Sequence, residues 1–167
     1  MADMLVKLYD LPEVEPLVKG LRDQGILIRT AMPYEKHHVV EWVQGLFGEG
    51  WASESDVAFS NHPVSCSIAT EAGEIIGFAC YDSTCKDFFG PIGVAKMKRG
   101  LGIGKALLLS CLHSMAENGY AYAIIGGSGD FYAKTVGATK IEGSSPGIYR
   151  DRLKDKKANK PDAGDPG

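Results

Sequence analysis

Between residues 26 and 153 the apolar positions switch repeatedly between a two-residue and a three-to-four-residue spacing, which predicts strands alternating with helices. Ile26 to Arg29 reads as a first strand. Pro33 and Glu35 open a helix carrying Val39, Val40, Val43, Leu46 and Phe47, and Gly48-Glu49-Gly50 breaks it before a shorter helical piece, Trp51 to Phe59. Val64 to Thr70 and Ile75 to Tyr81 form a predicted strand pair joined at Ala72-Gly73. Phe88 to Val94 is a further strand, interrupted at Gly90-Pro91, where a missing ladder donor predicts an edge or a bulge. From Ile103 the apolar positions Leu107, Leu108, Cys111, Leu112 and Met115 follow one helix face, and Gly119 stops it. A short apolar strand, Tyr122 to Ile125, comes next, so strand, helix and strand make a parallel βαβ unit. Asp130 to Val136 is a short helix ended by Gly137. Ile141 and Ile148 to Leu153 supply material for a last strand.

The two ends read differently. Residues 1–25 look like an extension before the main domain, residues 26–153, and residues 154–167 look like a polar tail. Within the extension, Leu5, Val6, Leu8 and Tyr9 suit a short extended piece. Asp10-Leu11-Pro12-Glu13 then reads as a helix start, with Asp10 as cap. Val14, Leu17, Val18 and Leu21 form a stripe that must be buried, against the domain or a second copy, which raises a homodimer as an expectation. The tail has almost nothing to bury and alone should be solvated.

The candidate chemistry lies at the start of the long helix. Lys96-Met97-Lys98-Arg99-Gly100-Leu101-Gly102-Ile103-Gly104-Lys105 alternates glycine with apolar residues among cations. A glycine-rich turn opening a helix leaves backbone N–H groups without intrahelical partners at the positive end of the helix dipole, and so offers a phosphate site. Two nucleotide fingerprints fail on spacing. A dinucleotide loop needs glycine where Lys105 stands; a Walker loop needs glycine at Arg99 and Ser or Thr at Ala106. What fits is Arg-x-x-Gly-x-Gly, formed by Arg99, Gly102 and Gly104.

That motif, with Pro91-Ile92-Gly93-Val94 just upstream, resembles the pyrophosphate loop of the GNAT superfamily of N-acetyltransferases. The order of elements is similar to that fold from about Ile26 to Leu153. The resemblance implies an α/β (mixed α+β) fold, in which a mixed, splayed central sheet is flanked by helices and acetyl-CoA is wedged into the splay. It implies that Ile92, Gly93 and Val94 hold the acetyl-pantetheine arm through their backbone. It further implies that amides from Gly100, Leu101, Gly102, Ile103, Gly104 and Lys105 cradle the pyrophosphate, with Arg99 shaping the loop. Phe131-Tyr132-Ala133-Lys134 looks like the family's aromatic-Tyr-x-Lys stretch, although Tyr132 to Gly137 is one position longer than the common pattern. By this carry-over Tyr132 is the catalytic acid for the departing thiolate.

The implied activity is transfer of an acetyl group from acetyl-CoA to a primary amine of a small molecule, amino acid or peptide. The alternative is a non-catalytic acyl-CoA-binding or regulatory module on the same fold. A lysine-like amine, with a pKa of about 10.4, is neutral in only about one molecule in 2,500 at pH 7, so a base is needed. Asp82, Asp87, Glu49 and Glu54 are the candidates, and the residues alone do not choose among them. Trp51, Tyr34, Phe47 and Tyr81 fit an acceptor wall and a core equally well.

Composition narrows the partners. At 167 residues and 44% hydrophobic the chain suits one globular domain, and a net charge of −3 gives no reason to expect nucleic acid. No apolar run is long enough to cross a membrane, and the start lacks a signal-peptide layout, so a cytoplasmic enzyme without membrane contact is expected. The four cysteines, Cys66, Cys80, Cys85 and Cys111, have no metal-ligand spacing, and adjacent His37 and His38 diverge on a helix, so no metal is expected.

Overall fold

The computed structural model describes residues 1–127, 129–153 and 164–166. Its strands are β1 (Met4–Lys7), β2 (Ile26–Thr30), β3 (Cys66–Glu71), β4 (Glu74–Tyr81), β5 (Phe88–Val94), β6 (Tyr122–Ile125) and β7 (Thr139–Lys140). Its helices are α1 (Glu15–Asp23), α2 (Lys36–Phe47), α3 (Glu49–Ser60), α4 (Ile103–Glu117) and α5 (Asp130–Val136). The seven strands form one mixed sheet in the order β2-β3-β4-β5-β6-β1-β7. Strands β2 to β5 are antiparallel neighbours, and β5 pairs with β6 in parallel, as the βαβ reading of the sequence requires.

Each face of the sheet carries its own core. On one side lie α4, α1 and α5, with Leu107, Leu108, Leu112 and Met115 fully buried against Val6, Ala79 and Val94. On the other lie α2 and α3, whose Val39, Val43, Phe47 and Ala58 pack on Ile68, Phe78 and Cys80. Phe47 stacks on Trp51 with ring centroids 5.3 Å apart. Arg29 on β2 forms a two-point ion pair with Glu35, at 2.6 and 2.8 Å, which ties that strand to the turn before α2. Three of the cysteines are buried free thiols and Cys85 is exposed. Burial pushes the Cys111 thiol up to about 12, so it is chemically quiet.

The ends of the chain depart from the sequence expectation. Residues 1–25 belong to the sheet and its core. Strand β1 lies between β6 and β7, pairing Met4 to Lys7 with Ile125 to Tyr122, and Met4, Val6 and Leu8 are buried. The cap expected at Asp10 is absent: Leu8–Asp10 is a 3₁₀ turn and α1 starts at Glu15, with a proline in its first turn. The α1 stripe is covered within the chain, with Val18 and Leu21 buried and Leu11, Val14 and Leu17 packed on the α4 core. The argument for a dimer from that stripe therefore lapses. Only Thr139–Lys140 forms the last strand. Ile148 to Leu153 is not strand: β1 already fills the inner place in the sheet, and Tyr149 turns back onto Gly126. Most of the tail, 154–163 and 167, lies outside the described residues. In the described part, Gly164 and Asp165 are exposed as expected, whereas Pro166 lies on α4 at Gly104.

Candidate active site

Three features converge where β5 ends and α4 begins. After Val94 a 3₁₀ turn, Lys96–Lys98, leads into Gly100 at φ +82° and Gly102 at φ +86°. Gly102 is the residue before α4, in left-handed conformation and without a side-chain cap, so the first-turn amides are left to an outside acceptor. Arg99 Nε donates to Val94 O at 3.1 Å, and Lys98 pairs with Glu71 on β3, so both cations brace the loop. Ile92, Val94 and Ile103 send their side chains into the core, which leaves only their backbone for a ligand. Leu101 and Lys105 are exposed. Gly93 is needed for a different reason: a Cβ there would lie 2.6 Å from the Phe47 ring.

Gly104, in the first turn of α4, faces the described end of the tail. A Cβ on it would stand 2.1 Å from Pro166 O and would meet no other residue so closely. The same segment, Gly164 to Pro166, reaches toward α5, because the Asp165 charge helps raise the Tyr132 phenol. Pro166 thus lies at the first turn of α4, and Asp165 is within electrostatic reach of Tyr132.

The second feature is a gap in the sheet. Strand β5 pairs with β6 only at Phe88↔Ile124 and Phe89↔Ile125, while it stays paired with β4 up to Gly77↔Val94. The register of β4 and β5 slips between Ala79↔Ile92 and Tyr81↔Phe89, which puts a bulge at Gly90-Pro91. Beyond Phe89 and Ile125 the two parallel strands part, and Gly90 to Val94 present a strand edge to the gap.

The third feature is Tyr132, on α5 beside this gap. Its ring lies 6.3 Å from that of Phe89 and 5.2 Å from that of Phe131. Burial, with Asp165 and Tyr149 adding to it, pushes its phenol up to about 12, so it keeps its proton throughout the working range. Tyr149, which the sequence placed in a strand, stands at the apex of the gap: a Cβ on Gly126, the residue after β6, would lie 3.0 Å from its ring. Nothing in the local sequence pattern marks Tyr149, because a long-range fold-back puts it there.

The candidate carboxylates and aromatics separate by place. Asp82 Oδ2 accepts from the Tyr120 hydroxyl at 2.9 Å and Oδ1 from the Asp87 amide at 2.8 Å. Asp87 precedes the closed part of the β5–β6 pair, its carbonyl accepting from the Ile124 amide, and burial raises its carboxyl. Glu49 is exposed, in a depression on the outer side of α2 and α3 with Gln44, Ser53 and Asp56. Glu54 is half-buried on α3, and Oε1 accepts from the Thr84 hydroxyl at 2.5 Å. Phe47 and Tyr81 are core, Trp51 is packed beside Phe47, and Tyr34 is 82% exposed. Among the described residues no cluster of His, Cys, Asp and Glu has the arrangement of a metal site.

A splayed parallel pair with a glycine-rich helix start at its open end is a family-level arrangement, and comparison with known proteins agrees. The Acetyltransferase (GNAT) family profile matches residues 34–137, more than half of the chain. The chain belongs to the GNAT acetyltransferase family. No curated protein matches it. Among solved structures, this GNAT chain is similar to a GCN5-related N-acetyltransferase from Sphaerobacter thermophilus, with a TM-score of 0.64, 22% identity, and coverage of 84% of this chain and 48% of that one. It is similar to a glucosamine N-acetyltransferase region of a fungal multi-domain GH3 β-N-acetylglucosaminidase, with a TM-score of 0.67, 16% identity, and coverage of 84% of this chain and 19% of that one. It is also similar to the Escherichia coli GNAT family N-acetyltransferase YhbS in complex with CoA, with a TM-score of 0.52, 20% identity, and coverage of 66% and 67%. At these identities the likeness is one of fold. The chain spans less than half the length of the first two. No helix among the described residues is long and apolar enough to cross a membrane.

Proposed function

We propose that this GNAT protein moves an acetyl group from acetyl-CoA to a primary amine of a small molecule, amino acid or peptide, both substrates being bound at once. The observation that carries the reading is the placement of three features: the uncapped first turn of α4, with Gly104 facing the Pro166 backbone, the β5–β6 gap, and Tyr132 beside it. The residues fit the coenzyme: Gly104 admits a main chain at contact distance, and the α4 amides offer donors to an anion. Acetyl-CoA, when bound, supplies the acetyl group as an activated thioester. The amides of the Gly100–Lys105 turn hold its pyrophosphate, and the free edge of Ile92 to Val94 aligns its arm and offers N–H to the carbonyl oxygen. Tyr132 holds a proton for the departing sulfur. The cytoplasm is the setting we assign it; a dimer is not needed to complete the groove.

The test is thiol release from acetyl-CoA with a panel of amines, alongside calorimetric titration of the coenzyme. Turnover with at least one amine supports the reading. Tight coenzyme binding with no turnover assigns the chain to the non-catalytic class instead.

Tyr132→Phe removes one hydroxyl and little volume. Its kcat is expected to fall about 100-fold with coenzyme affinity nearly unchanged, within the usual range for acid catalysis. Wild-type turnover in the variant would leave Tyr132 as packing for Phe89.

On this reading the coenzyme takes the place of Gly164 to Pro166, so the tail and the coenzyme compete. Apparent affinity is reduced by the fraction of molecules with an open groove; a tail seated in nine of ten molecules costs about tenfold. Removing residues 154–167 is therefore expected to lower the Kd for acetyl-CoA, as titration of both chains would measure. An equal Kd would mean that the tail does not block the groove.

A further inference from the structure

We propose that Glu54 is the general base that takes the proton from the acceptor amine, held for that task by Thr84 at the apex of the sheet gap opposite Tyr132. This rests on the acetyltransferase reading above and names a residue that the reading leaves open.

The placement comes first. Tyr132 packs with the α4 core on one face of the sheet, and Glu54 projects from α3 on the other. Groups from the two faces can meet where β5 and β6 separate, next to Phe89 and Ile125. Tyr149 stands there, its ring on Gly126, and its phenol is close enough to Glu54, Asp3 and Cys85 for each to raise its pKa, with Thr84 alongside. Tyr132 in turn feels Tyr149. Thr84 bonds directly to Glu54, and Tyr149 lies within electrostatic reach of both Glu54 and Tyr132. Next to Tyr149 in the chain, a groove of about 380 Å³ opens to solvent between Asp3, Phe88, Ser144, Ile148 and Arg150.

The state of the carboxyl suits the work. Oε1 is used by the Thr84 hydroxyl at 2.5 Å; among the described residues no cation pairs with Glu54 and no further hydrogen bond is made to it. Burial raises its pKa, and the Thr84 bond partly opposes that. A raised carboxyl is a stronger base than a solvated one. The three other carboxylates are placed elsewhere. Asp82 accepts from Tyr120 on one oxygen and from the Asp87 amide on the other, with Lys86 at 3.8 Å. Asp87 precedes the paired Phe88↔Ile124 end of the gap, where its Oδ1 is buried with no hydrogen-bond partner among the described residues, and Glu49 faces the outside of α2 and α3.

The step balances as follows. The Glu54 carboxylate takes one proton from the ammonium form of the acceptor. The freed lone pair forms the C–N bond to the thioester carbonyl carbon, the C–S bond breaks with its electron pair on sulfur, and sulfur takes the Tyr132 proton. The surplus proton on the new amide nitrogen restores the phenol through water, and the proton on Glu54 passes to solvent. The net result is one amide, one thiol and one released proton.

The experiment compares wild type, Glu54→Gln and Thr84→Val. In wild type the carboxylate form of Glu54 is lost as pH falls through its raised pKa, so kcat/KM for the amine should fall on that acid limb. Glu54→Gln should lose about 100-fold or more in kcat/KM and show no such limb, with acetyl-CoA affinity by calorimetry and melting temperature unchanged. An amine of low pKa, already neutral at the assay pH, should recover much of the loss. Thr84→Val removes the bond that lowers the pKa, so the limb should move to higher pH, and infrared titration of the free protein should show the same carboxyl moving the same way. An active wild type whose pH profile Glu54→Gln leaves unchanged, or a limb that ignores Thr84→Val, overturns Glu54 as the base. A wild type that binds acetyl-CoA and acetylates no amine overturns the acetyltransferase reading, and this proposal with it.

Discussion

Gly104→Val should abolish acetyl-CoA binding and leave the fold standing. The direction in which a side chain grows from Gly104 is known: its Cβ would point at Pro166, 2.1 Å from the carbonyl oxygen, and away from the core. Valine there displaces the tail and fills the space above the first-turn amides. The helix itself loses nothing, since valine is a better helix residue than glycine. The melting temperature should accordingly hold. The coenzyme loses more. Each charge-assisted hydrogen bond from an amide to a phosphate oxygen contributes about 1.5–3 kcal/mol, so losing two weakens binding by at least about 100-fold. Calorimetric titration measures this directly. Because the same side chain also evicts the tail, the substitution is best repeated in a chain lacking residues 154–167, where tail and coenzyme no longer compete. Unchanged affinity in that background would remove the pyrophosphate from the α4 turn.

Much of this site was legible because it is local. Arg99, Gly102 and Gly104 lie in the glycine turn that opens α4, as their spacing suggests, and the break at Gly90-Pro91 sits where the strand register slips. Helices α2 to α5 and strands β2 to β6 follow from hydrophobic period and glycine stops, which are also local. What escaped depends on contacts distant in sequence. Met4 to Lys7 looks like any short apolar run, and only its pairing with Tyr122 to Ile125 makes it an inner strand. Asp10 carries the right residue type for a cap, but Leu8 is drawn into the core and the chain makes a 3₁₀ turn before α1 begins at Glu15. Tyr149 and Thr84 have no motif at all; one meets Gly126 and the other Glu54 across gaps of 23 and 30 residues. Four carboxylates looked equivalent in the sequence, and the sheet separates them by which side of the β5–β6 junction each one faces.

Removing residues 1–24 should destroy the folded protein. The sequence pattern suggests an extension that could be cut while the coenzyme site survives, and the structure argues against both parts of that expectation. The cut takes out β1, which stands between β6 and β7, so β7 loses its only partner and β6 becomes an unpaired edge. An open edge beside an exposed apolar face is an aggregation template. The cut also removes the buried side chains of Met4, Val6, Leu8, Val18 and Leu21. At about 1.5–3 kcal/mol each, their burial contributes on the order of 10 kcal/mol, comparable with the whole stability of a typical domain, about 5–15 kcal/mol. The glycine loop is not independent either: Leu17 Cδ1 on α1 lies 3.4 Å from where a Gly102 Cβ would be, so α1 forms one wall of the turn before α4. The truncated chain should be insoluble or show no cooperative melting transition, and should bind no acetyl-CoA. Light scattering and calorimetry on the full and shortened chains measure each of these. A soluble shortened chain with the original melting temperature would mean that the sheet closes without β1.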